Sequence, residues 1–312
     1  MAVQNQTTNT VLMMQPLEFG FNPQTAQDNE FQHNIPQPEQ DLLRHATNEF
    51  IVAVDQLSQA GVTVLIPQYQ YLEAPTPDAV FPNNWFSTRH DGKLITYPMA
   101  TLNRRLEVER LERVLTFLRE MGFRVKSVRE LHALAEGGLF LEGTGSLVLD
   151  HANQVAYAAL SHRTDRRVLD AYCVEFGYKQ IAFETRSSTG KPFYHTNVVM
   201  TIGEDWAVVC GDSITPAYRP QVLDTLRQTH EVLEITHQQA EQFFCANLLE
   251  LKSDRNERLL ATSKSAWDGF SQGQQEWLTR RMKPVICPIP TIERVGGGSL
   301  RCMLAEIFLP EL

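Results

Sequence analysis

The chain alternates short apolar runs with longer stretches in which apolar residues return every three or four positions. Leu42, Leu43, Ala46, Phe50, Val54 and Leu57 form one such stripe, which Gly61 ends. Leu106, Leu111, Val114, Leu115 and Leu118 form another, which Gly122 ends. This period turns one face of a helix toward a core, and a glycine just past the last apolar position is a common helix stop. Similar patterns predict helices over 164–176, 219–230 and 264–281. Between them, runs of β-type residues predict strands near 62–66, 94–97, 123–125, 145–149, 154–159, 198–202, 206–210, 258–262 and 285–288. Strands alternating with helices define an α/β chain. No linker or low-complexity stretch divides it, so a single domain over 8–312 is expected, with residues 1–7 as a flexible N-terminus.

A slower rhythm overlies this pattern. Polar residues beside predicted strands recur at Asn84, Glu142, Asn197, Asn247 and Cys302, at spacings of 50 to 58 residues. Such a period suggests five copies of one supersecondary unit, and a radial arrangement would bring the five residues to a common centre. The segments share little sequence identity, so coincidence is the competing explanation.

Composition narrows the function. A net charge of −9 lacks the basic patch that nucleic acid or an anionic membrane surface requires. There is no apolar stretch long enough to span a bilayer, and residues 1–10 lack the order of a secretory signal. Five widely spaced cysteines, with no C-x-x-C pair, argue against a disulfide framework or a zinc site. A reducing, cytoplasmic setting without a metal is therefore expected.

The chemistry concentrates in three places. Three glycines precede Cys302 in Val295-Gly296-Gly297-Gly298-Ser299-Leu300-Arg301-Cys302, removing side chains from the approach to one thiol. The apolar run Met303-Leu304-Ala305 and Ile307-Phe308-Leu309 should anchor this segment as a buried strand. Leu141-Glu142-Gly143-Thr144-Gly145 offers a carboxylate, and Tyr194-His195-Thr196-Asn197 a histidine. A nucleophilic cysteine needs a proton acceptor, and a carboxylate on the far nitrogen of a histidine fixes its tautomer and raises its basicity. Taken singly, His195 and Glu142 read more simply as structural residues, and spacing alone does not bring them together. Asn83 and Asn84 offer planar amides, with Phe81 and Trp85 either walling a site or filling a core. Arg163 is a candidate clamp for a carboxylate, or an ordinary residue in the first turn of a helix.

Together, Asp78-Ala79-Val80-Phe81, Glu142-Gly143-Thr144-Gly145, Ser161 to Thr164, His195-Thr196-Asn197 and Gly297-Gly298-Ser299-Leu300-Arg301-Cys302-Met303 resemble the landmarks of the guanidine-modifying enzymes, the pentein superfamily. The likeness is greatest to an amidinotransferase-like branch associated with citrulline hydrolysis, related to arginine deiminase and dimethylarginine dimethylaminohydrolase. It runs from about Thr8 to the C-terminus. The resemblance implies a five-bladed, pseudo-symmetric α/β propeller, which would explain the recurring landmarks. It also implies Cys302, His195 and Glu142 as catalytic residues, and Asp78, Phe81, Asn84, Arg163 and Asn197 as substrate contacts, Arg163 holding the carboxylate. No cofactor is implied, and the partner is a small guanidino or ureido amino acid; a homodimer is compatible with the sequence.

Two departures bear on the substrate. Arginine deiminase-like enzymes carry aspartates at the positions of Asn84 and Asn197, where they clamp a cationic guanidinium. An asparagine suits a neutral ureido group, because a buried cation needs a counter-charge and a ureide does not. Citrulline, hydrolysed to ornithine, carbon dioxide and ammonia through an S-carbamoyl enzyme, is therefore the expected substrate, although Asp78 could still pair with a guanidinium. The alternatives are a dimethylarginine or arginine hydrolase, an amidinotransferase on the same triad, and a non-catalytic propeller that serves as a binding module.

Overall fold

The computed structural model describes residues 5–312. Its fifteen strands form five separate three-stranded sheets. In chain order the strands are β1 (Thr10–Leu12), β2 (Thr63–Leu65), β3 (Phe86–Thr88), β4 (Lys93–Thr96), β5 (Ser127–Glu130), β6 (Val148–Asp150), β7 (Val155–Ala159) and β8 (Lys179–Phe183). They continue with β9 (Met200–Ile202), β10 (Trp206–Val209), β11 (Glu231–Glu234), β12 (Leu249–Lys252), β13 (Arg258–Ser263), β14 (Lys283–Cys287) and β15 (Ala305–Glu306). Four sheets repeat one unit: a first strand pairs antiparallel with the second, and a helical crossover returns a third parallel to the second. A parallel partner demands such a crossover, and the amphipathic helices Leu111–Glu120, Arg166–Phe176 and Arg219–Arg227 supply three of them.

The remaining sheet joins the two ends of the chain. β1 pairs parallel with β2 across the helix Glu39–Gln59, and antiparallel with β15. The ring is thus closed by backbone hydrogen bonds, and the five-bladed propeller expected from the resemblance is the fold of this chain. The second strand of each blade is covered on both faces; all of β7 and β10 is buried. The outer strands β5 and β11 are largely exposed and carry the sequences SVRE and EVLE.

Several boundaries differ from the sequence reading. No strand forms at 123–125, where Phe123 makes only a bridge to Glu311 and the true strand starts at Ser127. The helix expected over 264–281 is two helices, Lys264–Gly269 and Gln272–Thr279, because Ser271 and Gln274 build a capping box that starts the second. Cys302 does not enter a strand directly. It sits in the 3-10 turn Leu300–Met303, and the strand that follows it is only Ala305–Glu306. Within the N-terminus expected to be loose, Gln6 and Thr7 are buried, and the Gln6 amide bonds Leu149 O and His151 N, at 2.9 and 2.7 Å. Residues 1–4 lie outside the described residues. No helix is long and apolar enough to cross a membrane among the described residues.

Candidate active site

Each recurring landmark precedes the first strand of a blade. Asn84 ends the 3-10 turn before β3, Glu142 leads the short helix Gly143–Ser146 before β6, and Asn197 lies in the turn before β9. Asn247, whose N–H bonds Phe244 O, precedes β12, and Cys302 precedes β15. These first strands surround the propeller axis, so five polar residues distant in sequence meet there. Asn197 and Asn247 both direct Nδ2 at the Cys302 sulfur, 3.5 and 3.4 Å away, and Asn247 also bonds Asn197 O at 3.0 Å. His195 Nε2 lies 2.8 Å from Glu142 Oε2, while Ala100 N donates to Glu142 Oε1 at 2.9 Å.

The electrostatics assign the protons. Arg163 and the His195 bond hold the Glu142 carboxyl down at about 2 against the desolvation of a fully buried site. An ionised Glu142 can only accept, so Nε2 of His195 carries the hydrogen and Nδ1 keeps the lone pair. Burial lowers the His195 pKa, and it raises that of Cys302, despite the amides around the sulfur. Both shifts favour the neutral forms, imidazole and thiol.

Asp78, Phe81, Asn84, Arg163, His195 and Cys302 all line one cavity of about 10 Å³. That is room for roughly one water molecule, far less than an amino-acid substrate needs. Residues 22–33 form a strap beside the cavity, which Asn29 helps to line. Asn22 and Thr25 donate to Asp78 Oδ2 at 2.7 and 2.9 Å, and Asn29 donates to Gly297 O at 3.2 Å. Phe31 packs among Phe193, Tyr194 and Phe244. The glycines before Cys302 make room for their neighbours. A Cβ on Gly296 would stand 2.7 Å from the Phe81 ring, and Gly297 adopts φ +64° beside Asn29 and Gln32.

Two candidate residues have partners within the chain. Trp85 does not wall the site; it is a core residue against Phe86, with ring centroids 4.5 Å apart. Arg163, expected to hold a substrate carboxylate, is engaged by the chain itself. Its Nε lies 3.1 and 3.0 Å from the Asp28 carboxylate oxygens, its Nη2 bonds Asp28 and Thr25 O, and its Nη1 is 3.6 Å from Glu142. The Tyr194 ring stacks against the same guanidinium.

Sequence reasoning missed three contributors. Arg104, on the helix Leu102–Arg105, is buried against Asn84 and lines the cavity, yet its segment carries no motif. Asp28 lies in a strap without apolar periodicity. Asn247 was visible as a landmark, but its contact with the thiol follows from the ring alone. The other cysteines, Cys173, Cys210, Cys245 and Cys287, are free and buried, and burial pushes their thiols up to about 11 or 12. Among the described residues no cluster of His, Cys, Asp and Glu is arranged to hold a metal ion.

Solved structures share this architecture. ArgZ, described as an arginine dihydrolase of the cyanobacterial ornithine–ammonia cycle, superposes with a TM-score of 0.71 at 15% identity, covering 97% of this chain and 41% of ArgZ. Its N-terminal domain bound to product gives 0.70 at 15% identity, covering 96% of this chain and 99% of that domain. SxtG, an amidinotransferase of Microseira wollei from saxitoxin biosynthesis, gives 0.70 at 15%, covering 97% and 96%. The chain thus spans about two fifths of full-length ArgZ and nearly all of its N-terminal domain. At these identities the likeness is one of fold. A comparison with curated protein sequences finds no significant match. The family model described as N,N dimethylarginine dimethylhydrolase, eukaryotic, matches residues 15–309, and the chain therefore belongs to this family within the guanidine-modifying superfamily.

Proposed function

We propose that the chain is a cysteine-dependent hydrolase of the ureido group of citrulline, releasing ornithine, carbon dioxide and ammonia. The observation that carries this reading is the set of neutral amides, Asn84, Asn197 and Asn247, where a guanidinium site would need carboxylates around the sulfur. In the proposed sequence, His195 Nδ1 takes the Cys302 proton as sulfur attacks the ureido carbon. The C–N bond to the substrate's side chain breaks, and the departing amine takes the proton from His195 to leave as ornithine. Water, deprotonated by the same nitrogen, cleaves the S-carbamoyl enzyme to carbamic acid, which decays to carbon dioxide and ammonia. Glu142 stabilises the transient imidazolium. The substrate carboxylate would replace Asp28 on Arg163, and this exchange would accompany opening of the strap.

One observation favours a second reading. Asp78 is buried and its Oδ1 has no hydrogen-bond partner. That oxygen could meet the guanidino group of arginine or a methylated arginine, or equally the α-ammonium common to all these substrates. Ammonia release and amino-acid products should be measured with L-citrulline, L-arginine and dimethylarginine in parallel, with Cys302→Ser as control. Ornithine from citrulline, absent in the variant, is the expected result. Turnover of arginine or dimethylarginine alone would overturn citrulline while retaining the triad.

A further inference from the structure

Ser299 occupies the N-cap position of the turn Leu300–Met303 that carries Cys302, yet its side chain makes no cap bond there. A serine in this position ordinarily turns its hydroxyl to a free N–H of the turn it opens. Here the hydroxyl donates instead to Oε1 of Glu293, at 2.6 Å, on the preceding helix Pro290–Gly296. The carbonyl of the same residue accepts from Cys302 N at 2.9 Å. Ser299 is thus a two-ended link, with its side chain on Glu293 and its main chain on the residue that bears the thiol. The run Gly296-Gly297-Gly298 lies between the helix and this link. Glycines offer no side chain to pack and have the greatest backbone freedom, so the placement of the turn depends on ties across the run. Tyr194 Oη and Asn29 Nδ2 tie it at the Gly297 carbonyl, and Glu293 ties it at Ser299, next to the turn itself.

Glu293 is buried without a cation. The groups that act on it are the hydroxyls of Ser299 and Ser263 and the carboxylate of Glu49. Ser263 is itself the N-cap of the helix Lys264–Gly269. Glu49, from the helix Glu39–Gln59, accepts from Thr291 N and Ile292 N at 2.9 to 3.0 Å, so its charge sits at the head of the helix that carries Glu293. Cys245 also feels Glu293, which adds to the upward push of burial on that thiol. Glu293 borders a cavity of about 630 Å³, whose other charged or titratable lining groups are Glu30, His33, Glu241 and Arg294. Cys302 lines a different cavity, which Glu293 does not reach. Water and protons therefore have a route to this carboxyl apart from the candidate active site.

We propose that Glu293 is a positioning residue for the nucleophile: through Ser299 it fixes the turn that aims the Cys302 sulfur at the reacting carbon. This rests on the reading of Cys302 as the nucleophile and holds for whichever substrate is turned over. An ionised carboxylate makes a charge-assisted bond to a hydroxyl, roughly twice as strong as a bond between neutral groups. Protonation weakens the tie, and the glycine run is then held less firmly. Burial pushes the Glu293 carboxyl up to about 7, so it changes between these forms near neutrality. The sulfur is placed tightly above that pH and loosely below it. Attack requires the reacting atoms to be aligned at about 3–3.5 Å, so loosening lowers kcat. KM is little affected, because Glu293 lies outside the cavity that Cys302 lines. The charge also has a cost in stability. A carboxyl raised from 4.5 to about 7 destabilises the fold progressively as pH rises through that window, and Glu293→Gln removes the penalty.

The test is kcat, KM and melting temperature for wild-type protein, Glu293→Gln, Ser299→Ala and the double variant, well below and well above the Glu293 pKa of about 7. The substrate is whichever of citrulline, arginine and dimethylarginine the wild-type protein turns over. Above that pKa, Glu293→Gln should lose on the order of tenfold in kcat, the scale of a sub-ångström misplacement, with KM little changed. Below it the wild-type carboxyl is neutral as well, and the two proteins should converge. Their ratio cancels the titration of His195, which both share. Ser299→Ala should show the same loss, and the double variant no more than either single change, because all three break one link. Above the pKa Glu293→Gln should also melt no lower than wild type, which separates positioning from a merely structural role. A loss of kcat equal at both pH values, additive losses, or full kcat in Glu293→Gln would overturn the proposal. If Glu293→Gln does not fold, Ser299→Ala carries the test, and full kcat in that variant above the pKa overturns the proposal as well. Failure of the underlying reading is seen separately, as Cys302→Ser protein that still turns over substrate.

Discussion

Gly145 lacks a side chain because Asn84 and His195 occupy the space one would take, each 2.6 Å from the position of a Cβ. Gly145→Ala must displace a buried amide or the imidazole proposed as the base, and misplacement of about 1 Å can cost on the order of a hundredfold in rate. The expected outcome is a fall in kcat of about that size with a cooperative melt retained; near-normal kcat would show that neither group stands where the reaction needs it. Glu142 invites a pH experiment. It raises the basicity of His195, whose pKa burial lowers, so Glu142→Gln should lower that pKa further. The acid limb of the kcat/KM profile then moves to lower pH, while the rate falls by roughly 10²–10⁴. Stability follows the opposite partner. The Glu142 carboxyl lies near 2 in the folded chain and near 4.5 otherwise, so it stabilises the fold above 4.5 and ceases to as pH falls toward 2. Acid titration of the melting temperature should therefore be flatter in Glu142→Gln over that window.

Among the elements, the strap over residues 22–33 borders the cavity through Asn29. It contains one 3-10 turn, Thr25–Gln27, and is fastened by polar contacts to Asp78, Arg163 and Gly297 more than by its own regular structure. Asp28 and a substrate carboxylate would compete for the same guanidinium donors. Removing the internal competitor should help the external one, so Asp28→Ala is expected to lower KM for the turned-over amino acid severalfold. A KM that rises or stays constant would mean that Asp28 remains on Arg163 when substrate is bound. The turn Leu300–Met303, which carries Cys302, is tied in turn to its neighbouring helix, Pro290–Gly296. There Ser299 Oγ donates to Glu293 at 2.6 Å, and Cys302 N bonds Ser299 O at 2.9 Å.

At the scale of the molecule, ring closure connects the stability of the fold to the placement of Cys302. β15 begins three residues after Cys302 and pairs with β1, with Leu12 opposite Ala305. Leu12 is fully buried in the core that also holds Leu65, Trp85 and Ile307, contributed by separate parts of the chain. Leu12→Ala should therefore cost about 2–5 kcal/mol of unfolding free energy. Chemical denaturation with activity followed in parallel should show both lost in one transition. Activity surviving well past the structural midpoint would argue that the closing blade does not hold the nucleophile.

Much of this protein could be read along the chain, and the reason is local. Amphipathic helices such as Glu39–Gln59 and the covered strands β7 and β10 announce themselves through apolar period and density, and the five landmarks keep their spacing because each opens one blade. The motifs around Glu142, His195 and Cys302 supplied the chemistry as residue types. Strands β5 and β11 escaped notice because an exposed outer strand needs no apolar run. Which residues touch was decided only by the closed ring. Convergence at the axis sets Asn247 on the thiol, Arg104 on Asn84 and Asp28 on Arg163, through pairs separated by 55, 20 and 135 residues. Sequence by itself determined most of the elements and the residue types proposed for catalysis, since both rest on neighbouring residues. Tertiary structure decided the direction of each donor and the lining of the site, because these depend on contacts between distant blades.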